Sequence, residues 1–246
     1  MRKSIDYTED FVVKSFEVNA CNVIKPHSFF HYMEDIAYKH AEKYGFGYSA
    51  TYPNGYGWFL LKCHIKFDTV FHAWSKLTIS TWPCESRGIQ CRRDFLVTDE
   101  DNDVVATAAT SWGLINFETK RLVNPFKVLN FPQLYPEYSM VTNFDKIPEL
   151  EKISYSKKFE VRFEDVDLNN HVNNAIYISW AIEALPYEFL KKYVLSEVEI
   201  YFKKEATFGT DIVSEVFWDV DKNTTIHAIK NSATNDELTS LRLMWK

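Results

Sequence analysis

The sequence predicts an α+β protein in which one buried helix wrapped by an antiparallel sheet occurs twice. Three observations carry this: two segments with the apolar pattern of a helix, strand-like runs after each, and an approximate repetition relating the two sets. The first helix is read from Phe29, Met33, Ile36, Ala37, His40, Ala41 and Tyr44, which form one stripe at helical spacing that ends at Gly45. The second, Asn173 to Leu185, is apolar on nearly every side and stops at Pro186, so it reads as a buried helix. Strand-like runs follow at 77–82, 90–98 and 104–116, then at 198–208, 212–218 and 226–231. The polar clusters 99–103 and 234–236 read as equivalent hairpin turns.

The repetition is visible in three matches that keep their order. Phe16-Glu17-Val18 corresponds to Phe159-Glu160-Val161 at an offset of 143, Ile65 and Phe67 to Ile200 and Phe202 at 135, and the run ending at Trp112 to the run ending at Trp245 at 133. Between the halves, Pro125, Pro132, Pro136 and Pro148 place half of the chain's 8 prolines in one stretch without glycine, the mark of a linker. The expected division is therefore 1–123, a linker at 124–154, and 155–246.

Composition narrows the function. With 246 residues, 46% of them apolar and 16% aromatic, the chain can bury a large core and is neither disordered nor fibrous. A net charge of −6 disfavours nucleic acid as a partner. Cys21, Cys63, Cys84 and Cys91 show no CxxC pair and no Cys/His ligand spacing, so reduced thiols and no metal are expected. No apolar run is long enough to span a membrane, and residues 1–10 lack a signal-type stretch. A soluble, unprocessed, cytoplasmic protein is the expectation.

Chemistry concentrates between Val161 and Tyr177. In an extended segment, Asp167, Asn169 and His171 at i, i+2 and i+4 would project to one side, beside the start of the second helix. A carboxylate, an amide and an imidazole near free helix N–H groups supply a base for water and donors for an oxyanion, which is what acyl transfer to water requires. Taken singly, the same residues could be a helix cap (Asn169 or Asn170), a turn residue (Asp167) and a solvated histidine (His171). Asn173 and Asn174, in an otherwise apolar helix, favour the functional reading and are its supporting residues.

The pattern Asp167-Leu-Asn169-Asn-His171-Val-Asn173-Asn174-(x2)-Tyr177-(x2)-Trp180-(x2)-Glu183 resembles the signature of acyl-acyl-carrier-protein (acyl-ACP) thioesterases. The Arg92-Arg93-Asp94-Phe95 segment and Ser111-Trp112 through Leu122 are similar to their counterparts in the plant-type enzymes. The resemblance implies two tandem hotdog domains, hydrolysis of fatty acyl-ACP thioesters in fatty acid biosynthesis, and no cofactor beyond the phosphopantetheine carried by the substrate. It implies catalytic roles for Asp167, Asn169 and His171, with Glu205 added from Phe202-Lys203-Lys204-Glu205-Ala206, where Ala206 stands in place of the family's cysteine. A cysteine nucleophile is excluded at that position. Direct water attack is expected, with Glu205 or His171 as base, Asn169 positioning water or the acyl oxygen, Asp167 orienting His171, and helix N–H groups holding the oxyanion. A covalent anhydride at Asp167 is the alternative.

Simple strand alternation would place Glu205 on a solvated face with Glu199, Tyr201 and Lys203, unless a bulge re-aims it. The offset of 143 sets Ile24, Pro26 and Ser28 against Asp167, Asn169 and His171, so one active site per chain is expected. The first half is then free to bind the acyl chain, with Phe29, Met33 and Ile36 as candidates or as ordinary core. An acidic carrier protein would need a local basic patch. Arg87, Arg92, Arg93, Lys157, Lys158, Lys191, Lys192, Lys203 and Lys204 are the candidates. Two alternatives stand beside this reading: a hotdog acyl-CoA thioesterase, which Phe163-x-Asp165-x-Asp167-(x3)-His171 also resembles, and a non-catalytic acyl-binding hotdog. A monomer or a homodimer is compatible with a fused pair. Acyl chain length is not encoded in any spacing.

Overall fold

The computed structural model describes residues 7–84, 88–130 and 134–246. They fall into two units, the first holding residues up to Lys25 with Phe29–Asn143, the second Pro26–Ser28 with Phe144–Lys246. In chain order the first set of elements is β1 (Tyr7–Val12), α1 (Pro26–Lys43), α2 (Tyr48–Thr51), β2 (Tyr56–Phe67), β3 (Lys76–Cys84), β4 (Gln90–Thr98), β5 (Val104–Asn116), β6 (Arg121–Val123) and α3 (Pro125–Val128). The strands pair antiparallel in the order β1-β3-β4-β5-β2, with β6 on β5.

Helix α1 turns the stripe foreseen from its periodicity inward, so that Phe29, Met33, Ile36 and Ala37 are buried, and Gly45 at φ 75 ends the following turn. Its contact with the sheet is aromatic near the start, Phe29 lying 5.0 Å from Phe67. It is polar near the end, where Arg93 of β4 donates to His40 Nδ1 at 3.1 Å.

The second unit repeats the plan. Its elements are β7 (Tyr155–Glu160), α4 (Asn174–Glu183), α5 (Tyr187–Lys192), β8 (Leu195–Phe202), β9 (Asp211–Asp219), β10 (Thr224–Asn231) and β11 (Glu237–Trp245), in the order β7-β9-β10-β11-β8. Each strand occupies the place of its counterpart in the first sheet. Helix α4 buries Ala175, Tyr177, Ile178, Trp180 and Ala181, as its all-round apolarity required.

Strands β4 and β5 have the limits read from the sequence, whereas β1, β2, β6, β7 and β11 lie outside the runs read there. β1 and β7 are edge strands whose charged residues (Glu9, Asp10; Lys157, Lys158) hide the alternation, a common protection of an open edge. Strand β8 ends at Phe202 and not at Phe208, because the amides of Lys203 and Lys204 both turn to the carbonyl of Leu238. The proline-rich stretch contains α3, and its part after residue 133 is held on the first sheet: Tyr135 N–H donates to Pro83 O at 3.0 Å and Trp82 Nε1–H to Glu137 O at 3.0 Å. Pro132 lies outside the described residues.

Candidate active site

Residues 166–172 are not extended. An antiparallel bridge between Val166 and Val172 closes a tight loop, in which Asp167 N–H donates to His171 O at 2.8 Å and Asn170 takes the left-handed conformation at φ 61. The i, i+2, i+4 argument therefore fails, and a different force gathers the polar groups. Asp167 Oδ1 accepts from Asn169 N–H at 2.8 Å and from His171 N–H at 3.4 Å, while Asn169 Nδ2 donates to Asp167 Oδ2 at 3.3 Å. Asp167 is thus the internal brace of an Asx-type loop. It positions His171 through the backbone and not through the ring.

The ring has another partner. His171 Nδ1 lies 3.2 Å from Glu205 Oε1, with the two side chains 32% and 44% exposed. Glu205 reaches it because the chain has left β8 and runs as a loop after Phe202, held by Val172 N–H donating to Ala206 O at 2.9 Å. Alternation along the strand, which would have aimed Glu205 at solvent, stops applying three residues earlier. A partly exposed imidazole paired with a carboxylate can act as a general base, since the carboxylate fixes the tautomer and stabilises the charged ring.

Asn173 caps helix α4, its Oδ1 accepting from Ala175 N–H at 2.9 Å, and Asn174 is the first helical residue. The presence of Asn173 is accounted for by capping, and neither Asn169 nor Asn170 is the cap. Ile176 N–H also goes to Asn173 O, at 3.0 Å. Two amides of the first turn are therefore committed, which leaves the expected oxyanion role of the helix terminus with little to supply it. Just upstream, the buried carboxylate of Asp165 takes Arg162 N–H at 2.9 Å and the Arg162 guanidinium at 2.7 Å, and its carbonyl accepts Asn173 N–H at 2.9 Å. Phe163 and Leu168, on the same stretch of chain, stand 83% and 91% exposed.

The first unit carries the same loop without the chemistry. Val18 and Ile24 bridge as Val166 and Val172 do, Asn22 takes φ 58 where Asn170 takes 61, and Asn19 Oδ1 accepts the amides of Cys21 and Val23. The counterparts of Asp167, Asn169 and His171 are therefore Asn19, Cys21 and Val23. The alignment on Ile24, Pro26 and Ser28 is corrected, because the loop register is set by these bonds and not by the Phe-Glu-Val match. Ile24 N–H donates to Phe71 O as Val172 N–H does to Ala206 O, so Val70 stands where the second unit has Glu205. Two valines replace the imidazole and the carboxylate.

Phe29 and Ile36 are fully buried, and Met33 lines a space of about 10 Å³ with Phe30, Glu34, Leu60, Phe95, Thr110 and Trp112. That is room for about one water, not for an acyl chain. Among the basic candidates, Arg93 is interior: it donates to Thr81 Oγ1 at 3.1 Å, and burial pushes its guanidinium down to about 10. Arg92 is committed to buried Asp94 at 2.6 Å. Neither belongs to a surface patch. Lys157, Lys191, Lys203 and Lys204 are at the surface, paired with Glu183, Glu188, Glu237 and Asp236. Arg87 lies outside the described residues.

A helix laid on an antiparallel sheet, repeated in one chain, with an imidazole–carboxylate pair in one copy, defines a tandem hotdog hydrolase. Two solved structures share the fold over nearly the whole chain. The 12:0-ACP thioesterase from Umbellularia californica superposes with a TM-score of 0.86 at 19% identity, covering 100% of this chain and 99% of that one. An acyl-ACP thioesterase from Bacteroides thetaiotaomicron gives 0.85 at 20% identity, covering 98% of each. Family models for the acyl-ACP thioesterase N-terminal domain match residues 4–127 and for the C-terminal domain residues 149–246, and the chain belongs to the acyl-ACP thioesterase family. It is a thioester hydrolase. An oleoyl-ACP thioesterase of Arabidopsis thaliana is 28% identical over 261 aligned positions, 98% of this chain and 70% of the relative; one from Coriandrum sativum is 29% identical over 245, 92% of this chain and 66% of the relative. The chain thus spans about two thirds of these chloroplast proteins. No helix among the described residues is long and apolar enough to cross a membrane.

Proposed function

We propose that this chain hydrolyses fatty acyl-ACP thioesters by direct attack of water, with His171 as the base and Glu205 as its orienting partner. The observation behind this reading is the 3.2 Å approach of His171 Nδ1 to Glu205 Oε1. With Nδ1–H donated to the carboxylate, Nε2 presents a lone pair. It takes a proton from water as the water oxygen attacks the thioester carbonyl, and Glu205 stabilises the imidazolium that forms. Collapse of the tetrahedral intermediate breaks the C–S bond, and the imidazolium returns its proton to the leaving phosphopantetheine thiolate.

Asn169, exposed at the loop tip, is the group for positioning water or the acyl oxygen. Asp167 holds the loop; because both its oxygens are already engaged, water attack is favoured over an anhydride at Asp167. Phe29, Met33 and Ile36 bind the acyl chain only if the space beside α1 opens. Acyl carrier protein is the carrier partner, as in the names of the plant relatives. A cytoplasmic, reducing compartment suits the four free thiols. Turnover of matched acyl-ACP and acyl-CoA esters tests the carrier, and the free fatty acids released from a mixed acyl-ACP pool give the chain length. His171→Ala and Glu205→Gln should each lower kcat by about 10² to 10⁴-fold. Full activity in both would overturn the site.

A further inference from the structure

The two units offer an internal comparison, since one holds the His171–Glu205 pair and the other holds Val23 and Val70 in its place. One set of neighbouring side chains can be compared directly through its ring contacts. In the first unit Phe29 packs against Phe67 at 5.0 Å and Phe71 at 5.8 Å, a closed aromatic cluster. In the second unit the equivalent of Phe67 is Phe202, the equivalent of Phe71 is Ala206, and the equivalent of Phe29 is Tyr177. Tyr177 keeps the ring contact, with its centroid 5.9 Å from Phe202, but gains a hydroxyl and faces an alanine. That hydroxyl accepts a hydrogen bond from Ala206 N–H at 3.2 Å. The change of Phe to Tyr thus accompanies the change of Val to Glu at the adjacent residue, 205.

We infer that Tyr177 is the positioning residue for Glu205: its hydroxyl, fixed on buried helix α4, holds the amide after Glu205 and thereby sets the carboxylate against His171. This rests on the catalytic role proposed above for the His171–Glu205 pair. The ring is immobile, since Tyr177 is 2% exposed and is clamped edge-on by Trp180 at 5.3 Å as well as by Phe202. Backbone bonds tie the loop on either side of Glu205. Val172 N–H grips Ala206 O, while the amides of Lys203 and Lys204 are fixed two and one residues before it. Without the Tyr177 bond, the Ala206 amide is buried with its donor unmet, and the loop would gain by turning it toward solvent. Such a shift carries Glu205 with it. Burial, with the Glu205 charge adding to it, raises the phenol well above its ordinary range despite the Ala206 N–H, so Tyr177 stays neutral at every working pH and serves as a fixed acceptor.

The test is Tyr177→Phe, a change the first unit already tolerates at Phe29, read alone and in combination with Glu205→Gln. The expected result is a fall in kcat of about 10- to 100-fold with KM little changed, as for a misplaced catalytic group. In the Glu205→Gln background the second change should add almost nothing, since Tyr177 acts through a carboxylate that is no longer there. Amide exchange in the intact protein should quicken at residues 203–207 and stay unchanged in α4. Independent, multiplying losses in the double variant, or full activity in Tyr177→Phe beside an impaired Glu205→Gln, overturn the positioning role alone. Full activity in Glu205→Gln would overturn the catalytic reading and this inference with it.

Discussion

His227, on β10, is fully buried, and His227→Phe is the substitution whose effect the structure specifies most closely. Its Nε2 lies 2.8 Å from Thr225 Oγ1, which also accepts Trp245 Nε1–H, while Nδ1 has no hydrogen-bond partner among the described residues. Burial lowers its pKa from 6.5 to about 3. Well above pH 6.5 the ring is neutral whether the chain is folded or not, and it contributes no pH dependence. Below that value the unfolded chain binds a proton the folded one refuses, so stability falls as pH falls, by up to about 1.4 kcal/mol per pH unit until the folded pKa is reached. Lowering the pH by about two units from 6.5 should cost the second unit roughly 2–3 kcal/mol from this group alone. The strand register shows what can replace it: Phe95 faces Thr81 and Ala108 as His227 faces Val216 and Leu241. His227→Phe should therefore fold and lose that component. Amide protection in β10 and β11, corrected for intrinsic exchange and compared between the two proteins across this pH range, measures the difference without assuming that the whole chain unfolds at once. Equal loss of protection on acidification in both proteins would refute the argument that the buried ring stays neutral.

Asp94 is wholly buried and accepts two bonds from Arg92, at 2.6 and 2.9 Å, one from Ser139 N–H at 2.7 Å and one from Ser139 Oγ at 3.0 Å. Asp94→Ala should destabilise by about 3–5 kcal/mol, the cost of stranding a largely buried cation, and should open residues 134–142 to proteolysis, read by denaturant midpoint and limited digestion. Asn173→Ala should cost about 1 kcal/mol and Asn173→Asp nearly nothing, measured by thermal unfolding, because either an amide or a carboxylate oxygen can accept Ala175 N–H. Reversing Lys203 and Lys204 to glutamate should raise KM for acyl-ACP and leave acyl-CoA esters almost unaffected; an equal change for both substrates would remove these lysines from carrier docking.

Several features were legible in the residues because they are local and periodic. The stripe from Phe29 to Tyr44, the greasy run before Pro186 and the uninterrupted 90–98 and 104–116 segments each encode their element within a few turns or pleats. Edge strands were illegible, since β1 and β7 carry charge where a buried strand would alternate. The duplication was visible but its register near the site was not. Phe16-Glu17-Val18 aligned one way, whereas Asn19 and Asp167, each bracing its own loop through two amides, align another.

The sequence alone determined that the chain builds one helix-and-sheet plan twice, that the Asp-x-Asn-x-His run occurs before the second helix and not before the first, and that Ala206 cannot be a nucleophile. Which groups meet was decided by the tertiary structure. His171 and Glu205 are 34 residues apart, on a loop before α4 and a loop after β8, and their approach to 3.2 Å depends on a break in strand pairing at Phe202 and a hydrogen bond from Val172 to Ala206. Periodicity reports which way a side chain faces along a regular element. It stops where the element stops, and there long-range hydrogen bonds set where side chains point.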